Sequence, residues 1–337
     1  MSPSVTSLVL ALLGLAAVFW LLHENDTRTV LRTASAVGSG LVVVIAIRGL
    51  ILATCGTGWW CLLRNFTAVP LRAAIGFRVI AEAINVMLPV ATVGGDIVRA
   101  MLLRSRTGVD SGTAAASTLI DLLLQAAAQA LFALFGVVLL ARIAGGTELA
   151  SWAAKGLGVA VLVLACFYAV QRFGGARLVE RGLAAVARHW PAAAAGNALR
   201  LHERLKAIYA DRRAVRMSFL LHEFGWLIGA FETFVALHLM HVPAAFSTAL
   251  VLESLNQGLR TAAFPVPGAL GVQEGAYIAL GALSGIAPET ALALSLVKRV
   301  PDLAIGLPGL LACYYLQIRR HVPRPVAATA ASDTAVE

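Results

Sequence analysis

Long apolar runs constrain this chain more than any other feature. They cover residues 5–22, 37–63, 113–141, 153–171, 217–240 and 289–317, with more polar stretches of the same kind at 79–98, 246–264 and 268–286. A helix needs roughly 20 residues to cross the hydrocarbon core. No water is available there to satisfy backbone groups, so each run must bond internally, as a helix does. Composition agrees: 13% of the residues are charged, against about 25% in soluble domains. The chain is therefore an all-α polytopic membrane protein.

Charge sets the topology. The net charge of +9 does not point to nucleic acid, because the basic residues lie between apolar runs, where they orient spans. No Lys or Arg precedes residues 5–22, so this run is expected to stay as a transmembrane helix rather than be cleaved. Residues 23–35 form a balanced loop, and the next span is interrupted by Arg48 and ends at Trp59-Trp60, a pair placed at the interface. Two basic stretches follow, Arg64/Arg72/Arg78 and Arg99/Arg104/Arg106. The extramembrane segment 172–216 carries ten Lys/Arg against three acids, which assigns it to the cytoplasm, either as helices lying on anionic headgroups or, equally, as a solvated basic loop. Arg319, Arg320 and Arg324 place the C-terminus there too. Residues 1–325 form one integral membrane domain, and 326–337 a disordered tail. Cys55, Cys61, Cys166 and Cys313 form no CxxC pair, so neither a disulfide framework nor a zinc site is expected.

The stretches 82–121 and 265–302 carry ionisable residues, Gly and Pro inside apolar sequence. Charge at membrane depth is costly and marks function by default. Broken backbone there must be covered by protein or line a cavity. The two stretches also repeat. Glu82-Ala-Ile-Asn85 matches Glu253-Ser-Leu-Asn256 at an offset of 171. Pro89-Val90 matches Pro265-Val266, Asp96 matches Glu274, and the helix from Thr113 matches that from Thr290, at offsets of 176–178. With the basic segments inside, 79–98 enters and leaves on one side, and the spans of the second copy run opposite to those of the first. The expected architecture is about six full transmembrane helices plus two re-entrant or broken-helix hairpins. They form inverted repeats, copy A about 37–142 and copy B about 217–318.

Two motifs carry a resemblance. Gly94-Gly95-Asp96-x-x-Arg99, before an Ala/Ser/Thr-rich helix, and Pro267-Gly268-Ala269-Leu270-Gly271-Val272-Gln273-Glu274, followed by Lys298-Arg299, resemble the lysylphosphatidylglycerol synthase transmembrane, or flippase-like, family. The resemblance is greatest to the hopanoid-biosynthesis-associated membrane proteins. It implies a bacterial inner-membrane protein that moves or handles lipid. Some relatives fuse this region to a soluble aminoacyl-transfer domain. The longest soluble loop here is 172–216, so synthase activity is not expected. Ala269 stands where Gly is usual, and Leu122 where Arg is frequent.

The candidate substrate-binding or transport residues are Glu82, Asn85, Asp96, Arg99, Asp121, Glu253, Asn256, Arg260, Gln273, Glu274, Lys298, Arg299 and Asp302. Each has a structural alternative. Asp96 and Glu274 sit at helix starts, where a carboxylate caps free N–H groups. Arg99 and Arg299 offer a fork for a lipid phosphate, or snorkel to the interface. Asp121 is matched with Lys298 or Arg299 across the copies. His238-x-x-His241 lacks a third ligand, and no catalytic triad or phosphate loop is present, so neither metal, cofactor nor enzymatic activity is expected. The leading reading is a flippase-like lipid transporter whose partners are membrane lipids. The alternative is an accessory scaffold of a lipid-synthesising complex that docks through 172–216.

Overall fold

A computed structural model describes residues 3–88, 94–143, 193–263 and 266–321, together with Lys155, Gly158, Val161, Leu162, Ala165 and Tyr168. Among the described residues the ordered elements are helical and no strand occurs. The expected tail 326–337, Pro89, Val90, Pro265 and most of 153–171 and 172–192 lie outside them.

α1 (Pro3–Glu24) turns by 98° into α2 (Thr27–Ser35). Asp26 makes that corner: its carboxylate accepts from the Arg28 amide and caps α2, so a helix replaces the loop expected at 23–35. Then come α3 (Leu41–Leu63), α4 (Leu71–Met87), α5 (Gly94–Thr107) and α6 (Ser111–Ile143). After the described helical residues 155–168 follow α7 (Ala193–Ala210), α8 (Arg212–Leu239), α9 (Phe246–Ala262), α10 (Val272–Ala282) and α11 (Pro288–His321). Among the described residues three helices are long and apolar enough to cross a membrane: Gly38–Leu63, Ser111–Arg142 and Arg212–Leu239. The bent pair α1–α2 would make a fourth. Pro301 and Pro308 lie inside α11, which continues through both.

Helix packing comes in matched sets. α3 packs on α4, as α8 does on α9; α4 packs on α5, as α9 does on α10; and α5 packs on α6, as α10 does on α11. Across the molecule α4 packs on α11, as α9 packs on α6, and α3 lies against α8 at the centre. Small residues make the cross-contacts possible. A Cβ at Gly136 of α6 would overlap the Ser254 hydroxyl of α9. A Cβ at Gly309 of α11 would come within 2.7 Å of the Ala83 Cβ of α4.

Contacts at the helix ends fix their directions. Asn65, just past α3, donates to Asp211 before α8 (2.6 Å). Arg204 of α7 pairs with Asp110 before α6 (3.3 Å), and Arg106 at the end of α5 donates to the Leu316 carbonyl near the end of α11 (2.9 Å). Thus the end of α3, the starts of α6 and α8 and the end of α11 meet at one end of the molecule. α4 starts and α5 finishes at that end too. It carries Arg64, Arg72, Arg104, Arg106, Arg200, Arg204, Arg212 and Arg213. α7 is more than a surface helix, because Leu205 and Ile208 are buried against Leu62, Ala116, Ile120 and Leu124. Arg212 and Arg216, assigned to the loop, belong to α8.

Candidate functional site

The end of α4 and the turn into α10 meet inside the molecule. A Cβ at Gly268 would lie 3.4 Å from the Val86 carbonyl, and Arg299 Nη1 donates to the Gly268 carbonyl (3.2 Å). The turn into α10 has three left-handed positions within four residues: Gly268 (φ 59°), Ala269 (φ 46°) and Gly271 (φ 79°). A Cβ at Gly271 would also crowd Ala17 of α1 at 2.8 Å. Glycine is therefore needed at 271 on two grounds, while Ala269 carries a left-handed backbone without being glycine.

The first charge cluster gathers around the start of α5. Asn85 accepts from the Gly95 amide (2.7 Å) and donates to Asp96 (3.2 Å), tying α4 to α5. Arg99 Nη2 lies 2.9 Å from Asp96 Oδ1, and Nη1 donates to Asp121 Oδ2 at 2.7 Å. The Arg99 guanidinium sits 4.4 Å from the Trp59 ring centroid, a cation–π contact. His222 Nε2 lies 2.9 Å from Asp121 Oδ1, and since that carboxylate only accepts, Nε2 carries the hydrogen. Arg78 reaches Glu82 (3.5 Å) and Asp96 (3.9 Å).

The second cluster lies around α9, α10 and α11. Glu274 accepts from the Gly271 amide (2.8 Å), from Ser295 (3.1 Å) and from Arg299 (2.7 Å). It is therefore a capping residue and a salt-bridge partner together. Gln273 donates to Ser295 (3.1 Å). Glu253 accepts from Lys298 (2.6 Å), Thr233 (2.6 Å), Gln257 (2.9 Å) and Tyr277 (3.1 Å). Arg48 of α3 pairs with Glu232 (3.1 Å) and Asp302 (3.4 Å).

Between the clusters lies a cavity of about 90 Å³, bordered by Arg48, Arg78, Glu82, Gln125, His222, Glu232, Glu253 and Arg260. That is room for a few waters among groups that would hold them. Each half sends one basic side chain into the other's cluster: Arg48 from α3 to Glu232 and Asp302, and His222 from α8 to Asp121.

The thirteen sequence candidates fall into this one region. Asp96, Arg99, Asp121, Glu253, Asn256, Gln273, Glu274 and Lys298 are buried, and neither amide atom of Asn256 is hydrogen-bonded. Glu82, Asn85, Arg260, Arg299 and Asp302 are partly exposed. Several expectations need correction. Asp121 pairs with Arg99 and His222, not with Lys298 or Arg299, which are held by Glu253 and Glu274. Arg78 and Arg99, assigned to cytoplasmic stretches, are buried, since the hairpin begins at Leu71 and folds them inward. Trp59 is buried under Arg99 rather than at the interface. Arg48, Arg78, His222, Glu232 and Tyr277 were missed as site residues. A charge inside an apolar helix was the available signal for Arg48 and Glu232.

These features define a multi-pass helical membrane protein with a largely buried polar interior. The chain belongs to the lysylphosphatidylglycerol synthase TM region family, whose model matches residues 5–309. It is accordingly a membrane protein of a family related to lipid handling. A comparison with curated proteins found no match. Among the described residues no group of His, Cys, Asp and Glu is arranged to hold a metal ion.

Proposed function

We propose that the protein is a flippase-like transporter that moves a lipid across or out of the bacterial inner membrane, with a hopanoid or a phospholipid as the candidate cargo. The observation that carries this reading is the polar cavity between the two charge clusters, lined by charges of both signs at membrane depth. The matched packing pairs and the opposed directions of α3 and α8, and of α6 and α11, support two inverted repeats that alternate access around it. Next to the polar cavity an apolar groove of about 1250 Å³ runs along α6, bordered by Leu131, Leu134 and Val161 with Arg212 and Arg216. Leu124 lines the groove and Gln125 the cavity, so tails in the one would keep a headgroup near the other. The basic end supports a cytoplasmic C-terminus. The protein works without catalysis in this reading.

A second reading has one observation in its favour. The outer face of α7 exposes Arg200, Arg204 and Lys206, a basic surface on which a lipid-synthesising complex could assemble.

The test is scrambling of a headgroup-labelled phospholipid in proteoliposomes, paired with lipid profiling of separated inner and outer membranes with and without the gene. Transport predicts that Glu82→Gln and Arg260→Met slow redistribution while protein level and lipid species stay constant. A scaffold predicts that these variants are silent and that neutralising the α7 bases loses partners. A new lipid species, rather than a moved one, would mean an enzyme.

A further inference from the structure

Glu223 stands apart from the other membrane-embedded acids. Asp96, Asp121, Glu232, Glu253, Glu274 and Asp302 each have a basic partner. Both carboxyl oxygens of Glu223 are shielded from solvent and neither has a hydrogen-bond partner. It is the twelfth residue of the 28-residue α8, roughly 16 Å from the helix start at 1.5 Å per residue. On one side its neighbours a turn away are Leu220 and Leu227, 58% and 39% exposed on the lipid-facing surface. On the other they are Phe219, packed on the core, and Trp226, whose N–H donates to the Gln125 carbonyl. The helices packed on α8 are α3, α6, α7, α9 and α11, whose bases include Arg48, Arg204, Lys206, Arg260, Lys298 and Arg299. None of the bases among them lies within ion-pair distance of Glu223. A carboxyl in such a place takes up a proton instead of holding an unpaired charge.

We propose that Glu223 is a proton-binding carboxyl, protonated in the bilayer at neutral pH, and that it loads and releases that proton as lipid moves. The second half rests on the transport reading above; the first does not. A protonated carboxyl at a lipid border reacts with a hydrophobic carbodiimide. Its proton moves to one carbodiimide nitrogen, its oxygen bonds to the central carbon, and the acyl group then shifts to nitrogen. The product is a stable N-acylurea and nothing leaves.

The experiment treats the full-length protein in phospholipid nanodiscs with dicyclohexylcarbodiimide and maps the adduct by peptide mass spectrometry. Glu223 is expected to label, and labelling to fall as pH is raised from about 6 to about 10, a range that covers buried carboxyls. Glu223→Gln mimics the protonated state and is expected to fold, to lose the adduct and to flatten the pH dependence of lipid redistribution. An unlabelled Glu223, or labelling indifferent to pH, overturns the proton site. A Glu223→Gln variant that moves lipid with the wild-type pH response overturns the coupling. Labelled Glu223 in a protein that moves no lipid keeps the proton site and removes transport itself.

Discussion

Asp121 shows what single residues contribute. It holds Arg99 and His222 together, all three buried, so Asp121→Asn takes from Arg99 one of its two carboxylates and leaves Asp96 as the other. Breaking a buried pair from one side costs about 3–5 kcal/mol. The variant should melt far below the wild type in detergent, and Arg99→Met in the same background should recover part of the loss. Ala269 offers the opposite case. A left-handed non-glycine residue costs about 1–2 kcal/mol, so Ala269→Gly should stabilise the protein by about 1 kcal/mol in the same melt. The motif already hinted at this, since glycine is usual at that position. Asp110 and Asp211 lie outside the spans. Burial works against the charge of Asp110, but bonds from Thr113 outweigh it and hold its carboxyl below the ordinary value. The Ala214 amide, outweighing slight burial, and the Asn65 side chain do the same for Asp211. A folded-state value below the unfolded one means that the stabilisation is complete above about pH 4 and is lost as pH falls through the folded value. Asp211→Asn keeps a good cap but not the charge. It should cost under about 1 kcal/mol at neutral pH and make the acid limb of a melting-temperature profile shallower.

The joints between helices depend on residues without side chains. A Cβ at Gly95 would overlap the Ala81 carbonyl and approach Asn85 Oδ1 at 2.8 Å. The obstacle is helix backbone, which cannot swing aside. Gly95→Ala should therefore part α5 from α4 at a cost of about 1–3 kcal/mol and lower the yield of folded protein on size exclusion. The sequence showed this hairpin because Gly, Pro and acids interrupt an apolar run, and it showed the Glu-x-x-Asn pairs because they recur at one offset. It could not show where α4 begins. Arg78 reads as a cytoplasmic charge until folding supplies Glu82 and Asp96, and the same holds for Arg99 beneath Trp59. Nor could it assign Asp121, whose partners sit 22 and 101 residues away and follow from packing alone. Long-range pairing has no local periodicity to betray it.

Sidedness decides the architecture of the whole molecule. With buried native cysteines replaced, Arg72→Cys and Arg106→Cys should react with an impermeant maleimide from the cytoplasmic face only. Ala245→Cys and Ala287→Cys, at exposed ends of α9 and α11, should react from the opposite face only. If residues 72 and 106 are modified from different faces, the first hairpin crosses the membrane and the inverted repeat is lost. The exchange of Arg48 and His222 has a consequence for how such a chain is built. Cut between α7 and α8, neither fragment would own all the counter-ions its acids require. Synthesised alone, each should be degraded; synthesised together, they should find one another and survive, each completing the other's ledger of charge.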